Sequence, residues 1–168
     1  MKKFFMAIVL CLVCTLSFGQ ISFSNNGSNR SENYLTKGTQ GNIKITADGV
    51  YILNILDIES TNILHIKLGN NKEETYQSLN TIISWFNNAQ NKEFVEINVE
   101  DKIITLYKYA GSYIYFSDAD SDYIKNYLHK AAMTSMFGGY QRKRVNDSFI
   151  GYITISQLRR AIENLMLQ

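Results

Sequence analysis

The sequence predicts an α+β fold: an antiparallel sheet built from two βββα-like units with a C-terminal strand and helix, the helices packed on one face. Three observations point there. Six short runs between residues 43 and 117 are rich in β-branched, aromatic and alternating apolar residues. After each third run the apolar spacing changes to that of a helix. Gly, Asn, Asp and Ser punctuate the changes, and proline, of which a chain this long typically holds about eight, is absent.

Taken in order, 43–47 and 50–58 flank Asp48-Gly49, a type I′ hairpin signal, and 62–68 supplies a third strand. Asn70-Asn71 then precedes a helix with Tyr76, Leu79, Ile82, Ile83 and Phe86 on one face. Glu73 and Glu74 suit its positive N-terminal end. The pattern repeats about 50 residues on, with strands at 94–99, 102–109 and 113–117 and turns at Glu100-Asp101 and 110–112. A second helix carries Tyr123, Ile124, Tyr127, Leu128 and Ala131 on one face. The two units share little beyond Ile45/Ile97 and Ile52/Ile104, so reuse of a common motif accounts for them more simply than duplication. A polar loop at 136–147 leads to a strand at 149–154 and a last helix, where Thr154-Ile155-Ser156-Gln157 has capping-box spacing. The interior should draw on Ile45, Ile52, Ile66, Val95, Ile97, Ile104 and Ile114, with Trp85 and Phe86 seating the first helix.

The chain begins with Met1-Lys2-Lys3, an apolar run from Phe4 to Leu16, and small residues at Ser17 and Gly19. This is the layout of a secretory signal peptide over 1–19, too short to span a bilayer comfortably. An Asn/Ser/Gly-rich segment, 20–41, reads as a flexible leader, and 42–168 as a single domain. Both cysteines, Cys11 and Cys14, fall within the signal peptide, so the exported chain has no thiol, disulfide or thiolate metal site. Val13 stands before Cys14 where lipid-modifying processing wants a small residue, so lipid anchoring is not expected. The expected destination is periplasmic or secreted, in or around a bacterial envelope. The membrane is met only through the signal peptide before cleavage.

Charge is unevenly spread: residues 20–122 hold 8 basic and 13 acidic side chains, and 123–168 hold 7 and 2. The two ends of one domain complementing each other explains this more simply than a dedicated basic face.

Several motifs could carry chemistry. Tyr107 and Tyr109 share one face of their strand, and across the turn Tyr113 and Tyr115 can join them. Four phenols on one face could stack on sugars or anchor a protein partner; the simpler reading is that they support cross-strand pairing or lie beneath a helix. Arg142-Lys143-Arg144, beside Gly138-Gly139, could bind phosphate, an anionic glycan or lipid headgroups, although a solvated loop is the default. Nucleic acid is not the expected partner of an exported chain. Asp118-Ala119-Asp120-Ser121-Asp122 opens like a calcium loop, but Tyr123 and His129 stand where Gly and Glu belong, and Asp120 or Ser121 capping the second helix explains it better. Asn146 to Gln157 echoes the same loop without adequate ligands. No metal site and no cofactor are therefore assigned. His65 and His129 are the only histidines; HExxH, GxSxG and P-loop motifs are absent, and no catalytic residue is assigned. The expectation is a non-catalytic binding or interaction module, with Tyr107, Tyr109, Tyr113, Tyr115, Arg142, Lys143 and Arg144 as contact residues. A small hydrolase with a dispersed active site, or a structural component of an envelope assembly, is the alternative. Sequence leaves the oligomeric state open.

Overall fold

The computed structural model describes residues 21–25, 33–99, 102–109, 111–137 and 148–168, with backbone alone for 21–25, 99 and 130–137. The strands are β1 (Ile21–Asn25), β2 (Asn33–Thr36), β3 (Gly41–Ile45), β4 (Tyr51–Leu56), β5 (Asn62–Gly69), β6 (Phe94–Val99), β7 (Lys102–Tyr109), β8 (Tyr113–Ser117) and β9 (Ile150–Thr154). The helices are α1 (Lys72–Asn88), α2 (Ser121–Phe137) and α3 (Ile155–Leu167). The α+β class holds, and a helix follows each three-strand meander.

The strands form two sheets, not one. The first runs β1-β5-β4-β3-β2 and the second β6-β7-β8-β9, and every pairing is antiparallel. They meet at a corner where Asp57, just past β4, bridges to Gly151 on β9. Asp57 is buried, and its carboxylate accepts from the backbone N–H of Glu59 at 2.8 Å, Ser60 at 2.9 Å and Ile150 at 3.1 Å. A buried charge is tolerated when its lone pairs are filled in this way. Gly151 is required here, because a Cβ would lie 2.5 Å from Ile55 Cγ2 and 2.6 Å from the Leu56 carbonyl.

One core lies between the sheets. Leu53, Ile55, Leu64 and Ile66 face it from the first sheet, and Ile104, Leu106, Ile114, Phe116 and Ile153 from the second. Trp85 and Phe86 of α1 and Leu158 and Leu165 of α3 pack into the same cluster. Ile66, Val95, Ile97, Ile104 and Ile114 are buried as expected. Ile52 is corrected: it pairs with Lys44 and Lys67, on the opposite side of β4 from Leu53 and Ile55. Every residue of β4 except Asn54 is apolar or aromatic, so period alone could not choose its face.

Asn71 caps α1, its side chain accepting from Glu74 N at 2.9 Å. The last turn of α1 carries no basic residue. Lys108 of β7 supplies one, its Nζ donating to the Phe86 and Ala89 carbonyls at 2.6 and 2.7 Å. That places a cation on the negative end of the helix.

Three further expectations are corrected. The Asp48-Gly49 hairpin forms, but only Gly49 has positive φ, at 78°, and its N–H bonds Thr46 O at 3.0 Å. That is a type I turn closed by a left-handed glycine, where type I′ would need both central residues left-handed. Second, strands β1 and β2 fall within the 20–41 leader. β2 is held from a distance: Asn164 of α3 donates to Leu35 O at 2.7 Å, and Leu35 packs in the core. Third, the helices do not share one face. α1 and α3 join the core between the sheets, whereas Ile124, Tyr127 and Leu128 of α2 pack on the opposite face of the second sheet. The signal peptide lies outside the described residues.

Candidate aromatic binding face

Alternation along β7 sends Ile104 and Leu106 into the core and Tyr107 and Tyr109 to the opposite face. The register builds that face into rows. Phe94 pairs with Tyr107, Tyr107 with Tyr115, and Tyr115 with Tyr152, so one row is aromatic on all four strands. The next row holds Tyr109, Tyr113 and Thr154. On the far side lies the row Glu96, Thr105, Ser117 and Ile150.

The four predicted tyrosines do share a face, in mutual contact. Ring centroids are 6.2 Å apart for Tyr107–Tyr109, 6.1 Å for Tyr109–Tyr115 and 6.4 Å for Tyr113–Tyr115. Tyr152 completes the group, 5.3 Å from Tyr113 at an interplanar angle of 89° and 5.5 Å from Tyr115. Edge-to-face and tilted contacts of this kind suit aromatic quadrupoles.

Sequence reasoning missed Tyr152 and Phe94. Their signals were present: Ile150, Tyr152 and Thr154 alternate along β9, and Phe94 opens β6. Placing Tyr152 required knowing that β9 pairs with β8, a contact 37 residues apart at Tyr115 and Tyr152.

α2 covers one end of the face. Asp120 Oδ1 accepts from Tyr123 N at 2.8 Å and starts the helix. Ile124, Tyr127 and Leu128 then bury against Tyr107 and Ile150, and Tyr127 Oη donates to the Glu59 carboxylate. Lys125 Nζ lies 4.8 Å above the Phe94 ring. Tyr107, only 2% exposed, is therefore core. Burial, with a smaller contribution from Tyr109, pushes its phenol pKa up. Tyr109, Tyr115 and Tyr152 are half-buried, and Tyr113 is 37% exposed. The face thus has a packed end under α2 and an end left partly accessible.

Arg142, Lys143 and Arg144 lie outside the described residues. The acidic run at 118–122 is spent on structure. Asp118 accepts from Phe149 N at 2.7 Å, Asp120 caps α2, and Asp122 pairs with Lys125 at 3.3 Å. Among the described residues no group of three or more His, Cys, Asp or Glu side chains could hold a metal ion. Thr154 and Gln157 form the capping box of α3. His65 stands on β5 with Nδ1 2.5 Å from Asn54 Oδ1, whose Nδ2 donates to Asn42 Oδ1 at 2.9 Å. Partial burial, then the Lys44 charge, lower its pKa. His129 is exposed on α2. No described helix is long and apolar enough to cross a membrane.

No protein-family model, curated protein or solved structure matches the chain.

Proposed function

We propose that this is an exported, non-catalytic binding module whose contact surface is the open end of the tyrosine face. The observation that carries the reading is the group Tyr109, Tyr113, Tyr115 and Tyr152: adjoining rings on one sheet face, left partly accessible beside a helix that buries Tyr107. Tyrosine offers large, rigid contact area with a polar tip, which suits recognition. The apolar leader and the thiol-free remainder support export to the periplasm or the medium.

Retention on the envelope fraction of the producing cell tests this. The Tyr113→Ala/Tyr152→Ala variant should be retained about tenfold less than the parent chain, a change worth ~1.4 kcal/mol. Equal retention by a folded variant would overturn it.

A further inference from the structure

We infer that the ligand of the open tyrosines is a neutral oligosaccharide; this rests on the reading of that face as the contact surface and names its ligand class. Three features of the face lead there. The first is charge. Neither aromatic row carries an ionisable acid or base with a formal charge at neutral pH: the positions are Phe94, Tyr107, Tyr115 and Tyr152, then Tyr109, Tyr113 and Thr154. Lys125, which reaches this face from α2, is placed over Phe94 and beside Asp122. Among the described residues, these two rows offer a charged peptide or a polyanionic glycan no charge to pair with, and complementarity is what gives charged partners their specificity.

The second feature is size. An aromatic side chain buries roughly 150–250 Å² when fully covered. Four half-open tyrosines therefore offer a platform of a few hundred Å², well below the ~800 Å² that each partner gives to a stable protein interface. The platform fits a ligand of a few rings better than a protein.

The third is geometry. Tyr113 stands at 89° to Tyr152, and Tyr109 at 80° to Tyr115, so the group presents ring faces and hydroxyl-bearing edges close together. A sugar ring has the matching pair of surfaces, an apolar C–H face and a rim of hydroxyls. Ring stacking and phenol hydrogen bonds can then act on one unit of the ligand at once. Neighbouring strands lie about 4.8 Å apart, so the tyrosines of β7, β8 and β9 span about 10 Å, enough for more than one sugar unit.

The test is calorimetric titration of the exported protein with neutral tetrasaccharides of glucose, mannose and N-acetylglucosamine, alongside sulfated and uronic-acid oligosaccharides of equal length. At least one neutral tetrasaccharide should bind saturably at one site, with an affinity that barely changes between about 0.05 and 0.5 M salt. Tyr113→Ala and Tyr152→Ala should each weaken it about tenfold or more, and Tyr152→Phe, which keeps the ring, should cost less. Far-UV circular dichroism and the urea midpoint establish that each variant is folded; if an alanine variant is not, Tyr113→Phe and Tyr152→Phe carry the comparison. Failure of every neutral oligosaccharide to bind would overturn the inference, as would binding only of the charged ones, or binding indifferent to both tyrosines. If no glycan binds while the double alanine variant still loses envelope retention, the ligand class is wrong and the contact surface stands.

Discussion

Lys108 joins two elements that chain order keeps apart. Its ammonium reaches the Phe86 and Ala89 carbonyls and lies 4.4 Å from the Phe86 ring centroid, while its backbone pairs with Ile114 of β8. Lys108→Met keeps most of the stem and removes the donor, so it should lower stability by about 1–3 kcal/mol in urea unfolding. Two titratable groups make a second prediction at this scale. His65 has a lowered pKa because burial and Lys44 disfavour its charged form. The unfolded chain therefore takes up the proton first as pH falls below about 6.5. Its contribution to stability is complete above that value and is lost as pH drops toward the folded pKa. Glu74 is lowered by the Asn70 N–H above all; desolvation opposes this, and the Asn70 and Asn71 side chains and the Lys67 charge lower it further. Its contribution is present above the ordinary carboxylate range and lost as pH falls through the folded value. Stability measured from pH 7.5 downward should decline first through the histidine range and again through the carboxylate range. His65→Gln should flatten the first decline, and Glu74→Gln part of the second.

Elements were mostly legible in the sequence, and their faces less so. The hydrogen bonds that define a meander or a capped helix are local, so the three helices and the strands β3 to β9 could be read from period and punctuation. Thr154 and Gln157 form the reciprocal cap that their spacing predicts, and Thr154→Ala should cost about 1 kcal/mol. β2 could not be read this way. It is short, and its anchor is Asn164, 129 residues away from Leu35. The corner between the sheets was equally hidden, because a glycine requirement depends on what faces it in space. Gly151→Ala would drive a methyl into Ile55 and the Leu56 carbonyl at the very place where Asp57 bridges to β9. It should destabilise by about 1–3 kcal/mol, seen as a lower thermal midpoint.

At the scale of the molecule, α2 decides which tyrosines are structural. The sequence put four tyrosines on one face but could not say that α2 would lie over that face, because the apolar residues of α2 suit either side of the sheet. Packing α2 there divides the aromatic group. Tyr107 joins Ile124, Tyr127, Leu128 and Ile150 in a second core, and Tyr113 keeps 37% of its surface exposed. Stability and binding should therefore separate between Tyr107 and Tyr113. The most direct measurement compares Tyr107→Ala with Tyr113→Ala for urea-unfolding free energy and for envelope retention. Tyr107→Ala should lose about 3–5 kcal/mol, as a buried aromatic does. Tyr113→Ala should lose less than about 1 kcal/mol yet be retained about tenfold less. A Tyr113→Ala variant that unfolds as readily as Tyr107→Ala, or one that is retained like the parent chain, would contradict the account.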